Sequence, residues 1–182
     1  MTPFGEAPQA WKAGTYCYCG TDLTLELAKK MLAAGEKEAL KQGVPMAMAI
    51  DDSGGNLLAF HRMDNTMLAG SQIALDKAYT AVYGKQPTSN YGPLYNSGEL
   101  VPLFFHERWV TFPGGYPIVK KGVILGGLGV SGGIVEDLYV AKAMLQAGGF
   151  ETKAIDEFLA ANEAEIQKSK LKDQKSKPNS KS

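Results

Sequence analysis

The stretch VPMAMAIDDSGGNLLAFHRMD, Val44 to Asp64, decides the fold. Pro45 to Ile50 is a short apolar run, and Asp51 to Asn56 is turn chemistry with Gly54 and Gly55 free to take positive φ. Leu57 to Met63 then runs back, so the stretch predicts a β-hairpin. The return strand ends in His61, Arg62 and Asp64, which places three polar groups where an apolar strand leaves its sheet. A site is expected there.

On the N-terminal side the pattern predicts a helix from Thr24 to about Lys41. Thr24 caps it, Glu26 meets the positive end of the helix dipole, Ala28, Met31, Leu32, Gly35 and Ala39 form one stripe, and Gly43 stops it. On the C-terminal side, Met67 to Tyr83 repeats small and apolar residues at helical spacing, carries Asp76 and Lys77, and meets a stop at Gly84. Gln86 to Pro102 is rich in Pro, Gly, Ser and Asn and reads as a long covering loop. Three strands are expected next, at Trp109 to Phe112, Tyr116 to Val119 and Val123 to Val130, with a break at Pro113-Gly114-Gly115 and a turn at Lys120-Lys121-Gly122. Helices follow at about Ile134 to Ala147 and Thr152 to Gln167. Hairpin connections of this kind imply an α+β domain: a five-stranded antiparallel sheet with flanking helices.

At 182 residues the chain has the length of one domain with tails. The expected division is an arm at 1–20 bearing Phe4, Trp11, Tyr16 and Tyr18, a domain at 21–150, an additional helix at 151–167 and a disordered Lys-rich tail at 168–182. Nineteen basic residues balance nineteen acidic ones, so there is no overall positive field and nucleic acid is not an expected partner. Cys17 and Cys19 lie too close for an unstrained disulfide, and with only two histidines a Cys/His metal site is not expected. The first twenty residues lack a basic start followed by an apolar run, and no stretch reaches the roughly 18 to 20 apolar residues of a membrane span. A soluble cytoplasmic protein is the expectation. So many rings on an arm with no periodic face of its own also suggest a homo-oligomer.

The hairpin stretch, then ALDKAYTA (74–81), FPGGYPI (112–118) and GGLGVSGG (126–133), together resemble the GlcG/HbpS family, the haem-degrading or DUF336 domain related to the C-terminal domain of PduO-type proteins. The resemblance covers about Leu23 to Ala147. It implies a profilin-like or PAS-like domain that assembles into homo-oligomers, and members that bind haem or ferric iron. The N-terminal aromatic arm, the aromatic and charged segment Leu100 to Arg108, and the C-terminal helix with its tail depart from the family's usual pattern.

Among candidate residues, Arg62 can grip a carboxylate through two parallel hydrogen bonds, or pair with Asp64 or Asp76. Lys77 and Asp76 point about 100° apart on a helix, so one is expected to face inward; a buried Lys77 is either a base or half of an ion pair. Gly114 and Gly115 offer backbone amides to an anion or simply turn a corner, and Ser131-Gly132 precedes a helix whose free N–H groups suit an anion. His61 and His106 are the only imidazoles, each able to serve as an axial haem ligand or a general base; His106 sits among Phe104, Phe105 and Trp109. Glu136 and Asp137 read as charges complementing a helix dipole or as ligands of an iron site. Two functions follow. One is a binder of haem or a related tetrapyrrole, with His61, Asp64, Gly114, Gly115, Ser131 and Gly132 around the ligand. The other is an enzyme on a small oxygenated organic acid, with Arg62 fixing the carboxylate and Lys77 or His106 moving a proton.

Overall fold

Helix α1 (Leu25–Gln42) begins where its capping residue stands: Thr24 is extended, and its Oγ1 accepts from the Leu27 N–H at 3.1 Å. It ends at Gly43, whose left-handed backbone (φ 71°) closes the last turn, and the residues of the expected stripe are its buried ones. The computed structural model describes residues 23–98, 106–164 and 166–167; the N-terminal arm, Phe104 and Phe105 and the Lys-rich tail lie outside the described residues.

The hairpin forms from β1 (Ala47–Asp52) and β2 (Leu57–Arg62), paired antiparallel with a bulge between Ile50 and Asp51. Asp51 and Asp52 therefore belong to the strand, not to the turn. The turn proper is held by Asp52 Oδ1, which accepts from the N–H groups of Gly54 and Asn56 at 2.8 and 3.0 Å. A second hairpin joins β3 (Gly115–Lys120) to β4 (Val123–Ser131), and β4 also pairs antiparallel with β1. The described sheet has four strands in the order β2-β1-β4-β3.

The expected fifth strand, Trp109 to Phe112, is not one. Its peptide groups are taken by side chains: Thr80 Oγ1 donates to the Arg108 carbonyl and accepts from the Val110 N–H, and the Thr88 hydroxyl donates to the Phe112 carbonyl at 2.7 Å. Backbone groups satisfied in this way leave no ladder to form. The expected loop after Gly84 is also more ordered than its composition suggested, with a 3-10 turn at Thr88–Asn90 and a short helix α3 (Tyr91–Asn96). The buried Tyr91 anchors it, its hydroxyl donating to the Gly84 carbonyl at 3.0 Å.

Helices cover both faces of the sheet. Helix α2 (Gly70–Gly84) lies on β4, β1 and β3, with Ala74 and Ala78 packed on Ala47 and Ala49. On the opposite face α1 packs against α4 (Glu136–Gly148), where the side chains of Met48 and Met144 crowd Gly35. With both faces covered, β1 is buried from Ala47 to Asp51 and shows no polar alternation. Helix α2 sits so close to β4 that a Cβ on Gly129 would overlap the Ala74 carbonyl oxygen. Gly129→Ala is expected to cost about 1 to 3 kcal/mol, the usual penalty for overpacking, seen as a lower urea midpoint. An unchanged midpoint would contradict this seating of the helix.

The described chain divides between Glu151 and Thr152 into two compact units. The second holds α5 (Lys153–Ala161); the expected helix is interrupted by a turn at Asn162, and residues 163–164 and 166–167 are helical again, the Ile166 N–H donating to the Asn162 carbonyl at 3.0 Å.

Candidate functional site

Two places collect the polar side chains that the sequence singled out. The first is a knot at the end of β3 and β4. Lys77, only 1% exposed, leaves α2 and donates from Nζ to the Val130 carbonyl and to Asp137 Oδ2, both at 2.7 Å. Asp137, equally buried, accepts from the Gly133 N–H through its other oxygen at 2.9 Å. Burial pulls the lysine's pKa down and pushes the carboxyl's up, and each charge opposes the other's shift. Because α2 and α4 lie on opposite faces of the sheet, this pair ties one layer to the other. Gly114 makes room for it: its φ of 116° favours glycine, and a Cβ there would stand 2.6 Å from Nζ. The Phe112 ring lies 5.2 Å from Nζ. Tyr116 is buried close by, its hydroxyl without a partner among the described residues and its pKa raised by burial and by the negative charge of Asp137.

Lys77, Gly114, Gly115 and the chain around Ser131 thus come together, but the amides expected to face a ligand have internal partners. The Gly115 N–H donates to Thr88 Oγ1 at 3.1 Å, the Gly133 N–H to Asp137, and the Ile134 N–H to Glu136 Oε2 at 3.2 Å. Gly132 links the buried Ser131 to the turn that leads into α4. Arg62 stands apart. Its register opposite Ala47 places it on the α2 face, yet it is exposed on the edge strand, with β1 between it and β4. Asp76 pairs with Arg108 Nε at 3.0 Å and Gln72 Nε2 at 3.0 Å instead. Arg108 covers the Tyr79 ring at 4.0 Å, and His106 stacks on the same ring with centroids 5.7 Å apart.

The second place is an open cleft of about 520 Å³ where the C-terminal part of α1 meets the chain entering β1 and leaving β2. Ala39, Leu40, Val44, Pro45 and Met63 give it apolar walls, and Glu36 and Asp64 supply carboxylates. His61 is on this side of the sheet, its Nδ1 2.7 Å from Glu36 Oε1. A carboxylate can only accept, so Nδ1 carries the proton, and in the neutral ring Nε2 keeps a lone pair. An imidazole whose far nitrogen is held by a carboxylate is the usual arrangement of a metal-binding histidine. Among the described residues no three His, Cys, Asp or Glu side chains cluster as a protein-only metal site would require. A haem needs less from the chain, a single axial nitrogen and an apolar surface; the cleft supplies the apolar walls, and His61 is not among the residues that line it.

A sequence model of the family described as haem-degrading protein HbpS-like matches residues 23–146. The chain belongs to the HbpS-like family. Among its relatives, an uncharacterised 15.0 kDa protein of Citrobacter freundii is 39% identical over 117 residues, covering 63% of this chain and 82% of that protein. Protein GlcG of Escherichia coli is 37% identical over 115 residues, covering 60% and 81%. Among solved structures, that of the PduOC–haem complex superposes with a TM-score of 0.68 at 29% identity, covering 71% of this chain and 97% of that one. HbpS-like membership accounts for the α+β layering and for the four sequence motifs, all of which lie within or overlap the matched region.

Sequence reasoning missed three participants. Asp51, expected in the turn, is a buried strand carboxyl with neither oxygen hydrogen-bonded among the described residues. Its position directly after an apolar run that continues the strand was the available clue. Asp137, expected as a dipole charge or an iron ligand, is the partner of Lys77, and nothing local in the chain shows that Lys77 reaches it. Glu36 lies 25 residues from His61, and only the packing of α1 on the sheet pairs them.

Proposed function

We propose that this protein is a small-ligand-binding protein of the GlcG/HbpS type whose ligand is haem or a related tetrapyrrole, working as a cytoplasmic homo-oligomer. The observation that carries this reading is the likeness to PduOC, solved as its haem complex, over nearly the whole of that chain. Haem supplies an iron with an open axial position and a flat, largely apolar face. This chain supplies apolar cleft walls and an imidazole with an available nitrogen. The geometry does not favour an enzyme on a small oxygenated acid. Proton transfer by Lys77 requires a reachable amine, and that amine is sealed against Asp137 and Val130. Among the described residues, no helix is long and apolar enough to cross a membrane.

The test is haem titration of the purified full chain, followed by size-exclusion chromatography with light scattering and absorbance detection. A Soret band saturating near one haem per chain, eluting at a multiple of the chain mass, is the expected result. Absence of saturable binding would overturn the proposal.

A further inference from the structure

Resting on the homo-oligomeric part of that reading, the sheet itself points to one of the contacts between copies. We propose that β2 is an interface strand, which pairs antiparallel with β2 of a second copy about a two-fold axis at Phe60 and joins the two sheets edge to edge.

The two edges of the sheet are treated differently by the chain. Along β3 the outer edge is closed at alternate positions: the Gly115 N–H donates to Thr88 Oγ1 at 3.1 Å, Pro117 has no N–H to offer, and the Val119 carbonyl accepts from the Glu151 N–H. Such an edge repels another strand. β2 carries none of these devices. The Met63 N–H donates to the Met46 carbonyl at 3.0 Å, so strand alternation turns the peptide groups of Phe60 and Arg62 away from β1. Among the described residues no strand pairs on that side and no group bonds to them. The strand LLAFHR contains no proline and no lysine, Leu57 at its start is 53% exposed, and Met67 and Leu68 just beyond it are 48% and 95% exposed. Free backbone donors and acceptors flanked by apolar side chains are what an added strand covers.

A second copy suits this edge better than an unrelated strand because the sequence of β2 is complementary to itself when reversed. With Phe60 opposite its own copy, Arg62 falls opposite Leu58 of the second copy and Asp64 opposite Asn56. Arg62, exposed and unpaired among the described residues, then stands next to the other copy's hairpin turn, where Asp52 and Asn56 lie and no cation does. A parallel pairing would set Arg62 beside Arg62. Charge therefore favours the antiparallel arrangement, in which the contact closes on itself.

The experiment is light scattering across a dilution series, with hydrogen exchange read at Phe60, on the wild-type full chain and on Leu58→Arg and Leu58→Glu. The wild type is expected at a multiple of the chain mass, with slow exchange of the outward Phe60 N–H. Leu58→Arg sets like charges opposite each other twice, and is expected to raise the dissociation constant of this contact at least about tenfold, giving a smaller particle and fast exchange at Phe60. Leu58→Glu meets the same arginine with the opposite charge and is expected to keep the wild-type mass, whereas a purely structural role for Leu58 would move both variants alike. If Leu58→Arg does not fold, Arg62→Pro takes its place: it removes an outward N–H, leaves the ladder to β1 intact and is expected to give the same smaller particle. An oligomeric wild type whose mass and Phe60 exchange are unchanged in Leu58→Arg would overturn this interface and leave the oligomer standing; equal losses in Leu58→Arg and Leu58→Glu would overturn the two-fold register. A monomeric wild type would overturn both readings, and slow exchange at Phe60 in that monomer would give the edge to another segment of the same chain.

Discussion

Lys77→Met is expected to destabilise the fold by about 3 to 5 kcal/mol, because it leaves the Asp137 carboxylate buried without its counter-charge. Methionine matches much of the lysine stem, so the loss reports the missing ammonium more than a cavity. The Val130 carbonyl loses a donor as well, and the link between α2 and α4 goes with the pair. Removing both charges with Lys77→Met and Asp137→Leu together is expected to recover much of the stability, since well-packed apolar side chains often replace a buried pair at little cost. Urea unfolding of the two single variants and the double variant measures this. A loss below about 1 kcal/mol in Lys77→Met would contradict a sealed ion pair.

Asp51 is expected to make the fold less stable as the pH rises from about 4 to 7. Burial pushes its pKa up from 3.8 to about 7, while the nearby Arg108 charge lowers it and those of Asp52 and Asp76 raise it further. The folded protein therefore holds this proton where the unfolded chain has released it. The stabilisation is fully present below the unfolded value and is lost as the pH rises through the folded one. The difference between acid and alkaline conditions is on the order of 4 kcal/mol for this one group. Asp51→Asn removes the titration, so its stability relative to the wild type is expected to climb across this range and level off above about pH 7. The buried amide needs partners that the carboxyl also lacks among the described residues, so the slope and not the absolute difference is the diagnostic quantity. Urea unfolding of both proteins at about pH 4.5, 6 and 8 supplies it; parallel pH profiles would refute the assignment.

By itself the sequence determined what depends on neighbours along the chain. Thr24 and Gly43 bound α1 through their own side-chain and backbone preferences, and the stripe from Ala28 to Ala39 states which face is buried. Gly54 and Gly55 between two apolar runs determine a hairpin, and the four motifs determine the family. Tertiary structure decided what depends on partners brought from far away. Trp109 to Phe112 has the composition of a strand, but Thr80 and Thr88 reach its peptide groups, so no strand forms there. Asp51 continues β1 because β4 pairs with it as far as Asp52, although two adjacent aspartates before Ser-Gly-Gly read locally as a turn. Lys77 meets Asp137 across 60 residues because glycines in β4 let α2 settle onto the sheet and Gly114 leaves room for the ammonium. His61 is fixed by Glu36 only because α1 lies on the face toward which that strand position points. Propensity and periodicity act over a few residues, whereas the protonation state and reach of a side chain are set by whichever groups packing places within about 3 Å of it.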